Sequence, residues 1–248
     1  MDRRFFLTTT LAALAAPRAF AADAPLKVLA SMAVQGAFTE IEPMMRKAGV
    51  ALNIEFSATV PIGERLDKGE AADLVIVGKG TIDRLMKEGK ALSATDLMIS
   101  EEGIAVADNA PKPVLRNLED FKTLVAGTPS IAITARGVSG LRMQKMLRDM
   151  GLSEVLDKRT VLVDEGFTAT RLLKGEVAMA VQQVSELKAA GAKNFVRLPD
   201  EMQVPTTFSV AVMKNTMRPK VAEAAVKIMS SPDVAGAWER SLVKPLHK

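Results

Sequence analysis

Four hydroxyl side chains, Ser31, Ser57, Thr59 and Ser139, stand just past short β-prone runs, at or near the start of a helical pattern. In an open α/β sheet, ligands bind beyond the carboxyl ends of the strands. There the first-turn N–H groups of the next helix lack partners, and nearby hydroxyls add donors. This combination suits an anion held by dipoles alone. Arg136 shares a loop with Ser139 and can grip a carboxylate through two parallel hydrogen bonds. Taken alone, it is equally an exposed loop arginine. Gln182 and Gln183 follow the apolar run Val177 to Val181. Adjacent strand residues face opposite ways, so one of the two amides is expected to reach the ligand.

What is missing narrows the chemistry further. The 248 residues contain no cysteine and no tyrosine, and the single histidine is His247, next to the C-terminus. Cysteine nucleophiles, disulfides, Ser-His-Asp triads and histidine metal sites therefore have no material to work with. Neither a P-loop nor a complete G-x-G-x-x-G is present, and no acidic cluster has metal-loop spacing. No cofactor is expected. The formal charge is +4, but Arg3, Arg4 and Arg18 against Asp2 account for half of it, and the remainder carries +2. That balance, without a basic block, argues against nucleic-acid binding.

The elements that must position these groups alternate. Leu26 to Ala30, Leu52 to Phe56, Asp73 to Val77, Ile131 to Thr134, Val161 to Asp164, Val177 to Val181 and Thr207 to Met213 are strand-like. Helical spacing separates them, as in Phe38, Ile41, Met45 and Ala48, and in Met143, Met146, Leu147 and Met150. This methionine stripe is expected to pack in the core rather than bind a ligand. Thr81 is expected to cap one helix, and Pro61, Pro219 and Pro232 suit first turns. Strands alternating with helices predict a mostly parallel sheet with covered faces, an α/β protein. Arg65-Leu-Asp-Lys-Gly-Glu-Ala-Ala72 and Arg171-Leu-Leu-Lys-Gly-Glu-Val-Ala178 match at six of eight positions. The echo fits a duplicated βαβ unit, and equally two helix ends that share one turn chemistry. Asp108 to Asn117, with Pro111 and Pro113, is expected to be a surface connection between lobes.

Residues 1–21 carry Arg3-Arg4, an apolar run from Phe5 to Ala16, and Ala19-Phe20-Ala21. This is the pattern of a signal peptide cleaved after about Ala21, too short to span a bilayer. Arg3-Arg4-Phe5-Phe6-Leu7 also resembles a twin-arginine signal, with Asp2 where Ser or Thr is usual. Export to the periplasm is expected.

An exported chain with Phe56-Ser-Ala-Thr59, Lys68-Gly-Glu-Ala-Ala-Asp-Leu-Val-Ile76, Ser130-Ile-Ala-Ile-Thr134 and Val181-Gln-Gln-Val-Ser-Glu-Leu187 resembles the type II periplasmic solute-binding proteins. It is most similar to the molybdate-binding-protein-like branch of ABC transporter components. The resemblance implies two Rossmann-like α/β lobes joined by a two-strand hinge. One lobe would hold 22–104 and 206–248, the other 105–205. It also implies that an oxyanion is held by hydroxyls and amides at strand ends. The first-loop serine of the family falls at Ala33, with Ser31 close by. The second-loop hydroxyl corresponds to Thr59, and the third-loop amide falls at Val138 or Ser139. The tyrosine of molybdate binders falls on Gln183, and this chain has no tyrosine.

The leading expectation is therefore a non-enzymatic, monomeric receptor. It would close on a molybdate- or tungstate-like anion and deliver it to an inner-membrane ABC permease. Selectivity would come from a site built of donors only. A small organic carboxylate gripped by Arg136 is the alternative ligand, and a ligand-sensing module is an alternative role. An exported hydrolase using Ser139 with Lys145 is the rival of another class. Six residues separate the two on one helix, more than a turn, which aligns them poorly.

Overall fold

The computed structural model describes residues 24–247; the signal-peptide reading of 1–21 lies outside them. The chain runs β1 (Leu26–Ser31), α1 (Gln35–Lys47), β2 (Leu52–Ser57), α2 (Thr59–Asp67), β3 (Leu74–Gly78), α3 (Lys79–Lys87) and β4 (Ala91–Ser100). It continues through β5 (Glu102–Val106), α4 (Leu118–Gly127), β6 (Ile131–Thr134), α5 (Val138–Asp149), α6 (Ser153–Arg159) and β7 (Thr160–Val163). Then follow α7 (Thr168–Leu173), β8 (Met179–Gln183), α8 (Val184–Ala189), β9 (Phe195–Arg197), β10 (Thr206–Met213), α9 (Pro219–Met229), α10 (Ala235–Arg240) and β11 (Lys244–Pro245).

Two mixed sheets result, ordered β11-β4-β10-β3-β1-β2 and β7-β6-β8-β5-β9. Each has a parallel trio, β2-β1-β3 or β7-β6-β8, closed by an antiparallel strand, β10 or β5. The two lobes are thus the same plan built twice. The echoed octapeptides fall at equivalent places, where α2 leads into β3 and α7 into β8. Gly69 and Gly175 both turn with positive φ, at 87° and 73°. Such angles cost a side chain and suit glycine. Even the ion pairs repeat, Arg65 with Glu70 at 2.6 Å and Arg171 with Glu176 at 2.6 Å.

The chain passes between sheets twice, at Glu101 and between β9 and β10. The boundary expected at 104/105 falls inside β5, which pairs wholly within the second sheet. Asp108 to Asn117 is likewise a surface loop inside the second lobe, not a connection between lobes. Thr81 is not a cap: α3 starts at Lys79, with Gly78 as its N-cap.

Each lobe buries its own cores. In the first, Leu26, Val28, Ile76 and Val210 of the sheet meet Phe38, Ile41 and Met45 of α1. The single tryptophan, Trp238, packs edge-to-face on Phe38 at 6.0 Å, and its indole N–H donates to the Met229 carbonyl at 3.1 Å. In the second, Met143 and Leu147 of α5 pack on Ile131, Ile133 and Val181, with Met146 and Met150 at the margin. The methionine stripe is core. No described helix is long and apolar enough to cross a membrane.

Candidate functional site

The carboxyl ends of β1, β2, β6 and β8 converge between the lobes around an inner chamber. It is lined by Ser31, Thr59, Thr134, Val138, Ser139, Gln182, Gln183 and Glu186, with Phe208 behind. Its volume is about 20 Å³, room for about one water-sized group. Thr59 and Val138 also border a wider outer chamber of about 520 Å³, lined by Gly78, Lys79, Gly80, Thr81, Arg142 and Thr206.

Three helices begin on these chambers without a side-chain cap: α2 behind Ala58, α3 behind Gly78 and α5 behind Gly137. Their first-turn N–H groups and the positive ends of their dipoles are thus open to an anion. Gly140 lets α5 start there. A Cβ at this position would stand 1.9 Å from the Thr134 carbonyl oxygen, so only glycine lets the first turn of α5 rest on the end of β6.

Most of the side chains singled out in the sequence meet here. Ser31 is buried, and its oxygen accepts from the Ala33 N–H at 3.3 Å, which leaves the hydroxyl proton to donate into the chamber. Ala33 itself does not line either chamber, because its N–H is turned to Ser31. Ser57 ends β2 without lining them. Val138 and Ser139 occupy the first turn of α5, not the loop before it. Gln182 and Gln183 are the last two residues of β8, and both line the chamber although their side chains alternate. Strand alternation fails to separate them because the cleft wraps over the strand end. Gln182 is held by its oxygen, which accepts from the N–H and hydroxyl of Thr168 at 2.8 and 2.9 Å. Its amide nitrogen is buried with no partner. Gln183 donates through its side-chain nitrogen to the Thr206 hydroxyl at 3.5 Å.

Arg136 is elsewhere. It lines neither chamber and pairs across the cleft with Glu64 of the first lobe. The arginine that does face the ligand space is Arg142, one turn further along α5, which also bonds Glu102 at 2.5 Å and the Val204 carbonyl. Its place was hidden in a polar helix, although the spacing of four from Val138 sets both on one face. Lys79 joins it in the outer chamber.

The inner chamber is not built of donors only. Glu186 lines it, 7% exposed, one oxygen accepting from the Gln183 backbone N–H at 3.3 Å. Burial pushes its carboxyl up to about 8, and the charge of Glu102 pushes the same way. Glu102, 1% exposed, is itself pushed up to about 7 by burial, which outweighs Arg142. Two further signals were missed in the sequence. Thr134 ends a strand as the other hydroxyls nearly do, and Glu186 stands three residues past Gln183 as in a capping box. The buried Thr134 hydroxyl and Gln182 nitrogen lack partners around this one chamber, while the Gln183 oxygen accepts from the Glu186 backbone N–H in the capping box of α8. Unpaired buried polar groups are rare and destabilising, so their concentration marks the place where a ligand completes them.

The comparisons with known proteins agree with this architecture. Residues 26–241 match the family model for bacterial extracellular solute-binding proteins. The chain belongs to that family. The chain is also similar to a Pseudomonas protein named aconitate isomerase, 31% identical over 89% of this chain and 88% of the relative. It is more distantly similar to the molybdate-binding protein ModA of Mycobacterium tuberculosis, 23% identical over 82% of this chain and 78% of that one. Among solved structures, the periplasmic molybdate-binding protein of Azotobacter vinelandii superposes with a TM-score of 0.75. That match has 18% identity and covers 88% of this chain and 98% of the other. This solute-binding fold therefore accounts for the two duplicated lobes and for a site between them.

Proposed function

We propose that this protein is an exported receptor that closes its lobes on a small organic polycarboxylate, in preference to a molybdate-like oxyanion, for hand-over to an ABC permease. One observation carries the reading: the cleft is a narrow inner chamber opening into a wide outer one that holds Arg142 and Lys79. A tetrahedral oxyanion needs one compact nest of donors. A ligand with separated carboxylates would put one at the uncapped starts of α2 and α5 and another against Arg142. The tyrosine of the molybdate-binding pattern has no counterpart in this chain.

A thermal-shift and calorimetric screen of the purified protein tests this, setting molybdate, tungstate and sulfate against citrate, tricarballylate and trans-aconitate. A ligand at 100 times its Kd adds about 2.7 kcal/mol. For a chain of this size that is a rise of roughly 5–10 °C. Stabilisation by the tricarboxylates alone is expected. A shift with molybdate or tungstate and none with carboxylates would sink the proposal and restore the oxyanion reading.

A second reading has one observation in its favour. The Pseudomonas relative is named for an isomerase activity on an unsaturated tricarboxylate. Under this reading the protein also converts the acid it binds.

A further inference from the structure

We infer that Glu186 is the proton-transfer group of an allylic isomerase site, moving a proton between two carbons of an unsaturated polycarboxylate that spans the inner and outer chambers. The inference rests on the polycarboxylate reading above.

Three features of the chamber point this way. Glu186 is a carboxyl in the wall of a ligand space, where beyond capping α8 its charge does not help to hold an anion. No lysine or arginine forms an ion pair with it among the described residues, so no cation holds it permanently ionised. The groups facing it are Glu102 from β5 and the amides of Gln182 and Gln183 at the end of β8. Arg142 beyond them is engaged by Glu102. Burial sets the carboxyl near 8, in the range where one group both accepts and returns a proton near neutral pH. The same chamber is lined by the hydroxyls of Ser31, Thr59 and Ser139 and the open start of α5, donors able to hold an oxygen on which negative charge develops.

The step balances without a co-reactant. The Glu186 carboxylate takes a proton from the methylene carbon next to the double bond, breaking that C–H bond. The electron pair forms a new C=C bond, and the former π pair moves onto an oxygen of the conjugated substrate carboxylate. The strand-end donors hold that dienolate. Glu186 then returns the proton to the far carbon of the former double bond, forming a C–H bond there and regenerating its carboxylate. The net change is migration of one double bond by one position, which interconverts the cis and trans forms of an aconitate-type acid.

The experiment uses trans-aconitate in D₂O, followed by NMR, with binding measured by calorimetry in parallel. The wild-type protein is expected to release cis-aconitate and to place deuterium on carbon. Glu186→Gln keeps an acceptor for the Gln183 N–H, so it should fold and bind while both rates fall roughly a hundredfold or more. Its melting temperature checks the fold. A wild-type protein that binds trans-aconitate with neither deuterium uptake nor isomerisation overturns this inference and leaves the receptor reading standing. So does a Glu186→Gln variant that exchanges at the wild-type rate. No binding of any polycarboxylate overturns the receptor reading itself.

Discussion

Replacing Gly140 with alanine is expected to destabilise the protein by about 3 kcal/mol or more and to weaken ligand binding at least tenfold. The reason is local and steric. The added methyl carbon would stand 1.9 Å from the Thr134 carbonyl oxygen, 2.7 Å from its carbonyl carbon and 2.8 Å from its hydroxyl oxygen. Two of these atoms belong to the backbone of β6, which is paired on both sides and cannot yield. The first turn of α5 must move instead, and overpacking of this kind costs about 1–3 kcal/mol even where flexible side chains absorb it. Val138 and Ser139 lie in that turn, so the inner chamber loses its shape at the same time. Gly127→Ala is the control. Nothing lies within 4 Å of a Cβ there, so it should stay within about 0.5 kcal/mol of wild type. Chemical denaturation and calorimetry of both variants decide the matter. A Gly140→Ala protein as stable as wild type would show that α5 is not seated on β6 as described.

Stability is expected to fall as the pH rises from about 5 to about 8. Glu102 and Glu186 have native carboxyls raised by burial to about 7 and about 8, against 4.5 for the ordinary group. Across that interval the native state keeps protons that the unfolded chain has released. The unfolded state binds fewer protons, and the free energy of unfolding therefore declines with pH. The stabilisation is complete below about 4.5 and gone once the pH passes the native values. Glu102 alone accounts for on the order of 3 kcal/mol, or a fall of roughly 5–10 °C in melting temperature. Exposed carboxylates do not offset this. Glu70, held at about 2 by hydrogen bonds from Arg65 and Lys27, makes its contribution above about 4.5 and is constant through the window. Calorimetric scans from pH 5.5 to 8.5 read the slope, and Glu102→Gln should flatten it. A melting temperature that rises or stays level over that range would rule the linkage out.

Much of the architecture is legible in the chain because buried parallel strands are written as unbroken apolar runs. Leu74 to Val77 and Ile131 to Ile133 have no other reading, and the octapeptide echo marks the same junction in each lobe. The strands on either side of the first crossing, β4 and β5, are not legible in the same way. In β4, Ala-Leu-Ser-Ala-Thr-Asp-Leu-Met-Ile-Ser is half exposed at its start and reads as a polar loop. In β5, Glu102 and Gly103 interrupt the pattern. Gly103 is demanded by the approach of the Val196 carbonyl, 2.6 Å from where a Cβ would be, and no local signal announces that neighbour.

The site divides along the same line. Ser31, Thr59, Ser139 and the glutamines stand at strand ends, where sequence order alone brings them to the cleft. Arg142 and Glu186 lie inside helices, and only the packing of one lobe on the other shows which side they face. Arg136 is the converse case. A loop position made it a ligand candidate, and Glu64, 72 residues earlier in sequence, takes it instead.

Trp238 gives the molecule a built-in optical asymmetry. With one tryptophan and no tyrosine in the chain, emission excited at the indole band arises entirely from the first lobe, where Trp238 is buried against Phe38. The second lobe is dark at that wavelength and contributes only to the circular dichroism of its helices. Fluorescence melting therefore follows the first lobe alone, and circular dichroism the helices of both. Without ligand, the lobes meet across the cleft, at two chain crossings and where α1 and α10 pack on α8, so the curves separate to the extent that these contacts yield. With a ligand bridging the uncapped starts of α2 and α5, they should draw together. Their coincidence is a measure of how firmly the cargo makes two lobes into one.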